Sequence, residues 1–141
     1  MDNKKLNAFI KYLEEQGEQP KQEDITNEDN KTFWFDNQDY FVLTDEEADE
    51  LTKEEILNTL WAFNTDFILN NSKLEYNDAV FNALKKMQQE LCEDANELIK
   101  AIIEDLDAFV EEAISCDGRG HFLSYYDGVE SEVDGFYIYK R

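Results

Sequence analysis

Residues 32–44, TFWFDNQDYFVLT, constrain the fold more than any other stretch of this chain. Two aromatic and β-branched runs flank Asp36–Asp39, which predicts a β-hairpin with a short loop. A second hairpin is read at the end of the sequence, in VESEVDGFYIYKR (129–141). There Asp134-Gly135 is a favoured two-residue type I′ turn. Beyond it Phe136 and Ile138 point to one face, and Tyr137 and Tyr139 to the other. The two hairpins are expected to share one small antiparallel sheet.

Helical periods fill the rest. Residues 2–16 read as a short amphipathic helix, capped by Asp2 or Asn3, with Leu6, Phe9, Ile10 and Leu13 at helical spacing and Gly17 at its end. The polar stretch 18–31 holds the only proline and reads as a loop. Thr44 and Glu47 form a capping-box pattern. A second such pair, Thr52 and Glu55, leaves two readings, a break near Leu51–Thr52 or one helix over 45–63; one helix is expected, because no Gly or Pro interrupts it. Asn64 caps a short helix over 65–70, and Asn77 opens another to about Leu91. Residues 94–115 have the strongest helical period, with Leu98, Ile99, Ile102, Ile103, Leu106, Phe109, Val110 and Ala113 on a broad apolar stripe that belongs in a core. The expected class is α+β: about four to five helices packed with a small antiparallel sheet from two β-hairpins. Residues 1–31 are set apart as N-terminal helix and polar loop, and 32–141 as a single α+β domain.

Composition enters through charge. With 34 acidic and 13 basic residues the net charge is −21, so the surface repels nucleic acid and anionic membrane and attracts a basic partner or a cation. The two cysteines, Cys92 and Cys116, make no disulfide framework and are read as buried free thiols. The first residues have no continuous apolar h-region, and no run of about 18 apolar residues exists, so a cytosolic protein is expected.

Candidate chemistry concentrates in ISCDGRGHFLSYYDG (114–128), which holds the only histidine, His121. A Cys116–His121 dyad would need a third group, Asp117 or Asp127, to orient the base. The local pattern favours structure instead. Gly118 and Gly120 stop the long helix, Asp127-Gly128 turns the chain, and Phe122, Leu123, Tyr125 and Tyr126 return to the core. Arg119 and His121 are expected to be internal partners of nearby carboxylates. One histidine and two distant cysteines do not form the usual zinc ligand sets. The stretch from Asp24 fails the EF-hand pattern, with Asp29 at its sixth position and Phe35 at its twelfth. DGVESEVDG (127–135) could gather carboxylates around a cation, but solvated acids explain it as well. Neither G-x-G-x-x-G nor a Walker A loop is present. No cofactor, no metal and no enzymatic activity are expected. A small enzyme using His121 is the outlying alternative.

The acids are unevenly spread. Residues 36–55 carry nine acids and one lysine, and residues 86–112 carry nine acids and two lysines. On the helix at 45–63, Glu46, Glu50 and Glu54 align at i, i+4 and i+8, with Asp45 and Asp49 alongside. Neighbours in such a row lie about 6 Å apart and repel, and a row of this kind imitates a phosphate backbone. Glu104, Asp107 and Glu111 form the second candidate face. Trp34 and Tyr40 are candidate apolar anchors, with core burial the competing reading for both.

The segments YFVLTDEEAD (40–49), LWAFN (60–64), DGRGHFLSYYDG (117–128) and FYIYKR (136–141) resemble a family of small acidic proteins encoded by bacteriophages and prophages. The resemblance runs over roughly the last hundred residues. It implies a phage origin and the cytoplasm of a bacterial host, and transfers no functional residue. The expected function is inhibition of a host nucleic-acid-binding defence protein by an acidic, DNA- or RNA-mimicking surface, of anti-CRISPR or anti-restriction type. No direct nucleic-acid or membrane binding is expected. The alternative is an adaptor or assembly protein, or a homodimer, docking through apolar surface such as Phe9, Ile10 and Leu13.

Overall fold

A computed structural model of the protein describes residues 3–141. The class is α+β. Strands β1 (Thr26–Asn27), β2 (Thr32–Phe35), β3 (Gln38–Leu43), β4 (Ser131–Val133) and β5 (Phe136–Lys140) form one sheet in the order β1-β2-β3-β5-β4. Every pairing is antiparallel. The two expected hairpins meet through β3 and β5, with Val42 opposite Ile138 and Leu43 opposite Tyr137. The first turn is tighter than expected, because β3 begins at Gln38. Asp36 (φ 52°) and Asn37 (φ 63°) make the whole connection. Asp134 (φ 52°) and Gly135 (φ 82°) do the same between β4 and β5. Both pairs have the left-handed backbone that a type I′ turn demands.

Alternation along the strands gives the sheet two buried faces. On one, Phe33, Tyr40, Val42, Val133 and Ile138 pack with Leu6, Phe9, Tyr12 and Leu13 of helix α1 (Asn3–Glu15). Phe9 is the centre, its ring 5.6 Å from Phe33 and 5.0 Å from Tyr40. On the other face, Leu43 and Tyr139 pack with Ala48 of helix α2 (Asp45–Asn58) and Leu123 of a later helix. Helix α1 ends at Gly17 (φ 91°) as its sequence predicts. The cap read at Asp2 lies outside the described residues. The stretch 18–31 is more than a loop: it contains a 3-10 turn at Gln22–Asp24, the core residue Ile25 and strand β1.

The chain divides into two compact units, one made of the residues up to Thr52 with Asp117–Arg141, the other of Lys53–Cys116. This division does not fall at residue 31, and α1 shares its core with the sheet. The Lys53–Cys116 unit is helical, with α3 (Thr65–Asn70), α4 (Asp78–Leu91), α5 (Asn96–Ile102) and α6 (Leu106–Asp117). Asn64 Oδ1 accepts from the Asp66 amide at 2.8 Å, and Asn77 Oδ1 from the Val80 amide at 2.9 Å, so both predicted caps are in place.

Two helices are shorter than their periodicity suggests. Helix α2 stops at Asn58 because Asn96 takes over its end: Asn96 Nδ2 donates to the Asn58 carbonyl at 2.6 Å, and its Oδ1 accepts from the Trp61 amide at 2.8 Å. The run at 94–115 is two helices rather than one. Ile103 is extended (φ −69°, ψ 131°) and forms an antiparallel bridge with Ser72, while Asp105 Oδ1 caps α6 through the Ala108 amide at 3.1 Å. Breaking the period turns Leu98 outward, to 51% exposure, although Ile99, Ile103, Phe109, Val110 and Ala113 are buried as expected. With α7 (Arg119–Leu123), the split raises the helical segments above the four or five expected.

Candidate functional site

Arg119 is the most heavily engaged side chain of the 114–128 stretch. Asp117 ends α6, and Gly118 (φ 81°) reverses the backbone into α7. This places the guanidinium, 11% exposed, among three carboxylates. It forks onto Glu130, with Nη2 at 2.7 Å from Oε1 and Nε at 3.2 Å from Oε2. Its Nη1 donates to Asp45 Oδ1 at 2.8 Å and Asp49 Oδ1 at 3.0 Å. Tyr137 lies beneath, its ring centroid 4.7 Å from the guanidinium carbon. Hydrogen bonding to Glu130 raises the Arg119 pKa further above its ordinary value, against the opposing effect of burial, and Asp45 adds to it. Arg119 thus ties the start of α2 to the segment leading into β4. Burial pushes the Tyr139 hydroxyl up.

The remaining residues of the stretch divide. Gly120 is not a helix stop. It lies inside α7, where a Cβ would meet the Gly128 carbonyl oxygen at 2.3 Å. Gly128 (φ 70°) supplies the expected turn. Asp127 Oδ1 accepts from the Val129 amide at 3.0 Å, and Ser124 Oγ lies 2.7 Å from the Lys140 carbonyl oxygen. His121 differs from its expectation: it is exposed, meets Phe122 edge-on at 4.9 Å, and pairs with no carboxylate among the described residues. Phe122 and Leu123 are buried, but Tyr125 and Tyr126 are exposed, to 61% and 63%. They carry cations instead, Arg141 over Tyr125 at 4.2 Å and Lys140 over Tyr126 at 3.8 Å. Both cysteines are exposed rather than buried.

The predicted acidic row on α2 is only partly open. Asp45 and Asp49 belong to Arg119. Glu46, Glu50 and Glu54 are exposed along one face of the helix, and no cation pairs with them among the described residues. Helix α2 begins with the expected capping box: the Thr44 amide donates to Glu47 Oε1 at 2.9 Å, and the Glu47 amide to Thr44 Oγ1 at 3.2 Å. Glu47 has a second task that the sequence did not suggest. Lys5 of α1 is 1% exposed, and its Nζ donates to Glu47 Oε1 at 2.7 Å and to the Asn30 carbonyl at 2.6 Å. Burial alone would raise the Glu47 carboxyl, but Lys5 and the Thr44 amide outweigh it and hold the carboxyl below its usual range. The only hint in the sequence is position: Lys5 stands next to Leu6 on the apolar side of α1, with Ala8 and Phe9 one turn on.

The second acidic face is not a continuous row. Glu104 sits in the break before α6, and only Asp107 and Glu111 share that helix. Lys53 Nζ pairs with Asp107 Oδ1 at 2.8 Å. Of the proposed anchors, Tyr40 is buried beside Phe9 and its hydroxyl is pushed up to about 12 by burial, with Tyr12 adding to the effect. Trp34 is half-buried. Phe9 and Leu13 of α1 are buried in the core, and Ile10 is partly buried against it. Among the described residues no helix is long and apolar enough to cross a membrane. No protein-family model matches the chain, and no curated protein or solved structure matches it.

Proposed function

We propose that this chain is a phage-encoded, non-enzymatic protein that binds the basic surface of a host nucleic-acid-binding defence protein and blocks it by acidic mimicry. The exposed row Glu46, Glu50 and Glu54 on α2 carries the reading. Its carboxylates repeat about every 6 Å along one helix. Arg119 pairs with Asp45 and Asp49 on the part of that helix that carries Glu46 and Glu50. A net charge of −21 makes encounter with a Lys/Arg-lined groove fast and salt-sensitive.

The test is capture of a nucleic-acid-binding protein from bacterial host lysate at low and high salt, followed by competition with duplex DNA. Capture that weakens with salt and yields to DNA is the expected result. Reversing Glu46, Glu50 and Glu54 to Lys should cost about 2 kcal/mol or more in affinity. Inhibition that survives the triple reversal overturns the reading.

A further inference from the structure

We propose that the cleft walled by Trp61, Phe63 and Phe81 receives an arginine side chain of a partner protein. The inference rests on the reading that the partner is basic, and gives that partner a specific anchor. The cleft is an open groove of about 500 Å³ and lies wholly within the Lys53–Cys116 unit. That size falls within the range of small-ligand sites. The 3-10 turn Leu60–Ala62, the first turn of α3 and one face of α4 build it.

Its floor is fixed from within. Gln88 is buried, and its Nε2 donates to the Trp61 carbonyl at 2.9 Å and the Phe63 carbonyl at 2.7 Å. Its Oε1 accepts from Thr65 Oγ1 at 2.7 Å. This network supplies rigidity, and recognition falls to the walls and rim. Trp61, Phe63 and Phe81 are half-buried in the wall, and aromatic rings attract cations to their faces; Phe63 also packs against Phe67 at 5.8 Å and Phe109 at 5.2 Å. Lys85 already responds to one of them, with Nζ 5.9 Å from the Phe81 centroid. Asp66 stands on the rim. Its Oδ1 accepts from the Tyr76 hydroxyl, and its other oxygen has no partner among the described residues. Residues 53–116 hold fourteen acids and five lysines, so the local field draws cations. A guanidinium fits this set better than an ammonium, because it is planar, stacks on aromatic faces and forks onto a carboxylate.

The probe is N-acetyl-arginine amide, titrated into the intact ¹⁵N-labelled protein, with N-acetyl-lysine amide and benzoate as comparisons. Saturable shifts are expected at the Trp61 indole and the Phe81 and Lys85 amides, larger for arginine than for lysine. Asp66→Asn should weaken binding about two- to fivefold, the worth of an exposed charge pair. Lys85→Ala should tighten it by a similar factor, because it removes the cation already lodged on Phe81. The proposal fails if benzoate moves these resonances and Lys85→Ala abolishes the effect, or if arginine moves none of them. The Glu46, Glu50 and Glu54 reversal should leave this titration unchanged, so failure here and failure of the mimicry reading are separate results.

Discussion

At Gly120 the backbone of α7 runs against the segment after Gly128 with no space for a methyl group. The obstacle at 2.3 Å is a carbonyl oxygen of the main chain, and the Glu130 amide nitrogen stands at 3.0 Å. Neither can rotate aside as a side chain could. Gly120→Ala should therefore cost about 3 kcal/mol, the upper part of the range for overpacking, measured as a shift in the urea midpoint. A cost under about 0.5 kcal/mol would show that the segment yields freely. The consequence reaches Arg119, because the same close approach brings Glu130 within its fork. In sequence, Gly118 and Gly120 both read as helix stops, and Arg119 as a partner of carboxylates that the local pattern does not name. In the fold each glycine has a different task, and the cation has three carboxylates. What local reading lacked here was Glu130, eleven positions on, and Asp45, seventy-four positions back.

At the scale of elements, α1 and α2 are latched by one buried ammonium. Glu47 serves the latch and the helix cap with the same oxygen. Its folded pKa is depressed, so its contribution to stability is present above the unfolded value of about 4.3 and is lost as pH falls through the folded value. Glu47→Gln should destabilise by about 3 kcal/mol at pH 7, near the low end for a buried charge that loses its partner. The difference between wild type and variant should shrink below about pH 4. A variant equally destabilised at pH 7 and pH 3 would place the cost in packing instead. The elements themselves were largely legible. The two hairpins, the caps at Thr44, Asn64 and Asn77, and the stop at Gly17 are local signals, and each survives in the structure. The breaks at Asn58 and Ile103 were not legible. Asn96 and Ser72 impose them from 38 and 31 positions away, and periodicity within a window does not see such partners. Asp105 was the one readable warning, a capping residue in the middle of an apolar run. The candidate site followed the same rule. The row on α2 was visible from its spacing, while Asp45 and Asp49 were subtracted from it by a residue seventy positions or more away.

At the scale of the molecule, the excess of acids acts on stability and on recognition with opposite dependence on salt. With 34 acids and 13 bases, most carboxylates have no cation to meet, and their mutual repulsion opposes the compact state. The Debye length falls from about 30 Å at 0.01 M to about 3 Å at 1 M, so added salt relieves that repulsion. The pairs most shielded from solvent, Arg119 with Glu130 and Lys5 with Glu47, lose little in return. Raising sodium chloride from 0.01 M to 1 M should lift the thermal midpoint by about 5 °C, some 1–2 kcal/mol at this length. Chloride is the salt to use, since sulfate stabilises by exclusion from the surface. A flat or falling midpoint would mean that paired acids outweigh unpaired ones. The same titration should weaken capture of a basic partner, because it screens the attraction that steers association. A surface that is acidic only for solubility predicts the rise in stability and no loss of a specific complex. Mimicry predicts both in one protein over one range of salt, and the Glu46, Glu50 and Glu54 reversal should reduce the salt sensitivity of both.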